Sequence, residues 1–156
     1  MPKRVIVPKA RDTSARELDW LGLETAAEAD VTSEDPAFPI ESALGISSGP
    51  GWRASVSGTQ TIRLFFDHPL TVRRIHLEFR EEKCERTQEF RLRWSHDAGQ
   101  TWQDIVRQQY NFSSAATREL EDYQVNLEHA TAFEIQIIPD VSRREAIASL
   151  HRLQIA

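Results

Sequence analysis

The strongest constraint on this chain is a period of two in its apolar residues, repeated in short runs that are separated by turn-forming residues. In QTIRLFFDHP, Ile62, Leu64 and Phe66 share a face, and Pro69 follows the run. In TVRRIHLEF, Ile75, Leu77 and Phe79 point one way while Arg74, His76 and Glu78 point the other. QEFRLRWS sets Phe90, Leu92 and Trp94 against Arg91 and Arg93. The alternation returns with Tyr123, Val125 and Leu127, with Phe133, Ile135 and Ile137, and at Leu153 and Ile155. Successive side chains of a strand face opposite ways, so each run has one dry and one wet face. Half-buried strands of this kind read as an all-β chain, and two antiparallel sheets packed face to face bury all the dry faces at once.

Only the first third departs from this pattern. TSARELDWLGLE offers a capping box of Ser14 and Glu17, then Leu18 and Leu21 on one face and Gly22 as a stop, which predicts one short N-terminal helix. KRVIVP is a further candidate strand. The stretch TSEDPAFPIESALGISSGPGW carries enough prolines and glycines to read as loop. With no linker visible, residues 1–156 form one domain, with residues 1–30 as an extension packed on it.

Composition narrows the function classes. A net charge of −5 argues against a general nucleic-acid or membrane-surface binder, which needs a basic face. Arg73, Arg74, Arg91 and Arg93 lie on outward strand faces, but Glu78, Glu81 and Glu89 make that surface a mixed, solvated one. No apolar run reaches the length of a membrane span or a signal peptide, so a cytoplasmic location is expected. Cys84 is the single cysteine, excluding an internal disulfide and fitting a reducing compartment. The five histidines have no partner at metal-ligand spacing, and no nucleophile elbow or phosphate-cradling glycine loop is present. No cofactor and no metal are expected.

SHDAGQTW, residues 95 to 102, resembles the Asp box of sialidase-type β-propellers. It occurs once in 156 residues, whereas a propeller needs four or more blades of about 40 to 50 residues each. As a hairpin the same stretch needs no catalysis. Asp97 is placed to accept hydrogen bonds from its own turn, Gly99 to take a positive φ, and Trp102 to pack across the hairpin base. Asp97 is therefore expected to be structural.

The order of ESALG, GWRAS, TIRLFFDHPLTVRRIHLEF, FRLRWSHDAGQTW, AFEIQIIPD and ASLHRLQI resembles the discoidin family, or coagulation-factor type C domains, within the galactose-binding-like jelly rolls. The likeness covers roughly residues 30 to 156. It implies an antiparallel jelly-roll sandwich with no catalytic residues, binding through loops at one end. Many relatives hold a structural calcium with carboxylates after an Ala-Leu-Asp-Gly loop. Here Gly45 stands in place of that Asp and GISSGPG has no carboxylate, so folding independent of calcium is expected.

Sugar sites need flat apolar faces and planar groups that reach two hydroxyls at once. In sugar-binding relatives an Arg follows the strand ending at Phe79, and Arg80 matches its place; Glu82 and Arg86 are its neighbours in REEKCERT. RQQYNFSS, read as a second connection, contributes Gln109, Tyr110, Asn111 and Phe112 as candidates. In GPGWRAS, Trp52 matches a buried family tryptophan and Arg53 is placed to reach the loop face. Together these imply a non-enzymatic module for a carbohydrate or another polar small ligand. A cytoplasmic protein-interaction or scaffolding domain is the alternative.

Overall fold

The computed structural model describes residues 20–45 and 49–156. The predicted KRVIVP strand and the capping box of Ser14 and Glu17 lie outside the described residues. Within them, a short helix α1 (Leu23–Ala26) leads into strand β1 (Ala27–Val31), and a second short helix, α2 (Glu41–Leu44), interrupts the stretch read as loop. Gly22 is the N-cap of α1. Residues 27–30, placed by the sequence reading in an extension, belong to an edge strand of the sheet.

The remaining strands are β2 (Trp52–Arg53), β3 (Gln60–Arg80), β4 (Arg86–Ser95), β5 (Gln103–Phe112), β6 (Arg118–Ile138), β7 (Ser149–Leu150) and β8 (Arg152–Ile155). The main sheet runs β1-β3-β6-β4-β5, with β8 paired to the later half of β3; β2 and β7 form a separate two-stranded ribbon. All pairings are antiparallel.

The two runs flanking Pro69 are one strand, as are those of Tyr123–Leu127 and Phe133–Ile137. β3 and β6 run antiparallel along their whole length and bend together, so their halves serve both layers of the sandwich. The early half of β3 lies between β1 and β6, and the late half between β6 and β8. Phe79, on the late half, meets Phe90 of β4 at 5.2 Å and Tyr110 of β5 at 5.8 Å, which joins the layers across the core.

The bend explains a phase change in the sequence. The large buried apolar residues of β3 sit at even positions before it (Ile62, Leu64, Phe66) and at odd positions after it (Ile75, Leu77, Phe79), whereas those of β6 (Leu127, Phe133, Ile135, Ile137) stay odd. Ile62 faces Ile135 and Ile75 faces Tyr123, so thirteen steps along β3 are matched by twelve along β6. The extra residue is a bulge, and the register shifts fall between Phe65 and Arg74, around the exposed Asp67-His68-Pro69 corner. A one-residue slip exchanges the two faces of a strand. Here it turns Phe79 into the core and Arg80, the last residue of β3, out of it.

Strand ends pair Gln60 with Ile137, Arg80 with Arg118, and Arg86 with Phe112. The connections after Arg53, Arg80, Phe112 and Ile138 therefore gather at one end of the sandwich, where the buried Arg86 Nη1 donates to the carbonyl of Pro139 at 2.6 Å. The β4–β5 hairpin and the bend occupy the other end.

Candidate functional site

At the gathered loop end, Arg80 lines a hollow of about 260 Å³ together with Phe38, Trp52, Arg53, Lys83 and His151. Arg80 reaches this position because it ends β3 directly after the fully buried Phe79. Its Nε donates to Glu78 Oε2 at 2.5 Å, and Arg118 Nε donates to the same oxygen at 3.1 Å. Glu78 is only 6% exposed although it sits on the outward face, because these two arginines and His151 cover it. Burial pushes the Glu78 carboxyl up, but the hydrogen bonds from Arg118 and Arg80 outweigh burial and hold it below its ordinary value. Glu78 is thus a fixed anion that pins the inner nitrogen of Arg80.

Arg53 follows the buried Trp52 on β2, and its guanidinium stacks over the Phe38 ring at 4.8 Å. A hydrogen bond from the Arg53 amide to the Phe38 carbonyl, at 3.2 Å, ties the two segments together. His151 enters from the turn between β7 and β8. Burial and the neighbouring Arg80 lower its pKa from 6.5, against the pull of Glu78, so the imidazole is neutral near neutral pH.

The loop after Arg80 is held by one carboxylate. Glu81 accepts from Arg86 Nε at 2.8 Å and from the Lys83 amide at 3.1 Å. Burial raises its pKa, and these bonds reverse the shift. Glu82 and Lys83 are left exposed at the rim, with no partner for either charged group among the described residues. Cys84 is exposed, but burial of its sulfur and its hydrogen bond to Glu81 raise its pKa, which keeps it a thiol.

Arg80, Arg53 and Glu82, three of the residues picked from the sequence, therefore line one hollow. Arg86 does not: it is 3% exposed, its donors engaged by Glu81, Gln88 and the Pro139 carbonyl, and its guanidinium lies on the Phe112 ring at 4.9 Å. RQQYNFSS is not a connection but the end of strand β5. Alternation there turns Tyr110 and Phe112 inward, where their rings meet at 5.1 Å and the Tyr110 hydroxyl accepts from the buried Gln88. Gln109 and Asn111 face outward on that strand, and Asn111 accepts from Thr87. None of the four lines the hollow around Arg80. Phe38, Glu78, Lys83 and His151 were missed. Of these only Lys83 carried a local signal, its place in REEKCERT.

The Asp-box hairpin lies at the opposite end and is a closed hydrogen-bonded unit. Asp97 accepts from Ser95 Oγ at 2.6 Å, from the Thr101 amide at 2.9 Å and from Thr101 Oγ1 at 2.5 Å. Those bonds hold its carboxyl well below the usual carboxylate range. Gly99 takes φ +86°, and a Cβ there would crowd Phe65 and Trp102. Trp102 is flanked by Arg63 and Arg93, both ion-paired to the buried Glu134. Among the described residues no group of three His, Cys, Asp or Glu side chains could hold a metal, and no helix is long and apolar enough to cross a membrane.

The fold has known counterparts. A family 32 CBM from C. perfringens NanJ, solved in complex with galactose, superposes with a TM-score of 0.60 at 13% identity, covering 86% of this chain and 96% of that one. The fold is a galactose-binding-like jelly roll. CBM32-3 from a family 31 glycoside hydrolase of Clostridium perfringens matches with a TM-score of 0.65 at 15% identity over 90% of this chain and 96% of its own. CBM32 of AlyQ, in complex with 4,5-unsaturated mannuronic acid, gives 0.59 at 19% identity over 84% and 95%. No family model and no curated protein matches the sequence.

Proposed function

We propose that this jelly roll is a non-enzymatic carbohydrate-binding module whose site is the hollow around Arg80. The observation that carries this reading is the pinning of Arg80. Its Nε is fixed by a buried carboxylate, and its two terminal nitrogens have no partner among the described residues on a side chain that lines a concave surface. A fork held in this way reaches two adjacent oxygens at once without first having to be ordered. Arg53 on Phe38 adds a second planar donor beside it. The jelly-roll neighbours solved with galactose and with an unsaturated uronic acid add weight to a sugar over other polar ligands.

The same chemistry speaks against hydrolysis. A glycosidase uses two carboxyl groups about 5 to 9.5 Å apart, one of them protonated as the general acid. Glu78 and Glu81 are both held ionised by arginines, and Asp97 at the far end is tied into its own turn. None of the three is poised to give up a proton.

A glycan array followed by affinity electrophoresis tests the reading. Wild-type protein is expected to be retarded by at least one soluble polysaccharide, and Arg80→Ala to migrate freely. A chain that recognises no glycan on the array while remaining folded overturns it.

A further inference from the structure

Resting on the carbohydrate reading, we propose that the glycan this site takes is acidic: a carboxylated oligosaccharide that lies across two adjoining depressions. Beside the first hollow is a second of about 250 Å³, which continues along the loop end to Cys84, Glu145 and Ile147. Arg53, Arg80, Glu81, Lys83 and Ser149 line both. The wall shared by the two depressions therefore carries three cations and one carboxylate.

That carboxylate does not answer the cations. Glu81 is already bound by the buried Arg86, which is 3% exposed and turned inward. Glu78 cannot offset them either, since it is shared between Arg80 and Arg118. Among the described residues, the Lys83 ammonium, the Arg53 guanidinium and the terminal nitrogens of Arg80 have no carboxylate partner. Glu82 on the first hollow and Glu145 on the second are the unpaired acids, one on either side of the wall. A chain whose net charge is −5 has thus gathered on one short ridge two cations without a carboxylate partner, Arg53 and Lys83, and a third, Arg80, that shares Glu78 with Arg118. Exposed cations in this arrangement repel one another, and an anion laid over the ridge relieves that repulsion.

The kind of anion follows from the donors. Two of the three are guanidinium forks, which match the planar pair of oxygens of a carboxylate, and the third is a mobile ammonium that accepts any geometry. Cations flanked by hollows on both sides suit a chain with sugar rings on either side of a charged unit, and a single ring fills only one hollow.

The test uses the intact chain against three soluble polymers: polygalacturonate, the same polymer fully methyl-esterified, and a neutral galactan. Polygalacturonate is expected to bind about tenfold or more tighter than its ester, and added salt to erase most of the difference. Its trimer should bind tighter than free galacturonic acid. Lys83→Gln, at an exposed residue, should weaken polygalacturonate binding several-fold. Arg73→Gln, which removes the same charge at the opposite end, should leave it unchanged. Equal binding of polymer and ester, or binding of galactan alone, overturns the acidic preference and leaves the carbohydrate reading standing. A monomer bound as tightly as the trimer overturns the two-depression part. Failure to bind these three and every array glycan defeats both readings together.

Discussion

Glu78 and Arg80, two residues apart on one outward strand face, are hydrogen-bonded through Oε2 and Nε at 2.5 Å. Arg118, pairing across from β6, and His151, turning in above, close the space around the carboxylate. Replacing Glu78 by Gln keeps the shape and removes the anion. Unfolding in urea should show a loss of about 1 to 3 kcal/mol, as expected for a hydrogen bond to a charged group. Affinity for the array-identified glycan should fall as well, since Arg80 is no longer fixed. Full affinity in a destabilised Glu78→Gln protein would reduce Glu78 to a purely structural role.

Arg80 itself is half-exposed and packs little, so its loss should be felt in binding. Arg80→Ala is expected to weaken glycan binding by about 10- to 150-fold, the equivalent of one charge-assisted contact. The melting temperature should fall less than in Glu78→Gln, because Arg118 still pairs with the carboxylate. Titration calorimetry and a thermal melt on the same sample separate the two effects.

Tyr110 is expected to behave in the opposite way. Its hydroxyl is the acceptor for the Gln88 amide, and Gln88 is fully buried. Tyr110→Phe strands that donor, at a cost of about 1 to 3 kcal/mol in denaturant unfolding. Glycan affinity at the distant Arg80 hollow should stay at the wild-type value.

Asp97→Ala should lower the melting temperature without touching glycan affinity, because the hairpin lies at the end opposite the site. The sign of its pH dependence follows from its depressed pKa. The unfolded chain takes up the proton first as pH falls, so the contribution of Asp97 is fully present above the ordinary carboxylate range and disappears toward its lower folded value. A melting curve for Asp97→Ala should therefore converge on wild type in strong acid.

His151 gives a second pH dependence, at milder acidity. Its folded pKa lies below 6.5, so the unfolded state again binds the proton first and stability falls as pH drops from about 6.5 toward the folded value. Protonation also sets a new cation beside Arg80. His151→Gln is expected to flatten this part of the stability profile, measured as the urea midpoint across that pH window.

The alternation of apolar residues was enough to draw β3, β4, β6 and β8, because facing side chains to opposite sides is a property of the local backbone. The Asp-box hairpin was legible for the same reason: Ser95, Asp97, Gly99 and Thr101 satisfy one another within seven residues. Arg80 could be placed at the mouth of a loop because it follows Phe79 at the end of an alternating run. Arg86 could not. Its spacing suits either a rim cation or a buried one, and only the approach of the Pro139 carbonyl and Glu81 made the inward choice the favourable one.

The tertiary structure decided what depends on segments far apart in the chain. The bulge that turns Phe79 inward and Arg80 outward exists as a mismatch between β3 and β6, and a mismatch needs both strands to be defined. Tyr110 and Phe112 read as a loop because Gln108, Gln109 and Asn111 interrupt their neighbourhood. Pairing of β5 with β4 turned the aromatics into core and left the amides outside. Phe38, Arg53, Arg80 and His151 line one hollow although more than a hundred residues separate the first from the last. Local periodicity records which way a side chain points. A concave site also depends on what arrives from elsewhere to stand opposite it, and that is fixed only when the layers close.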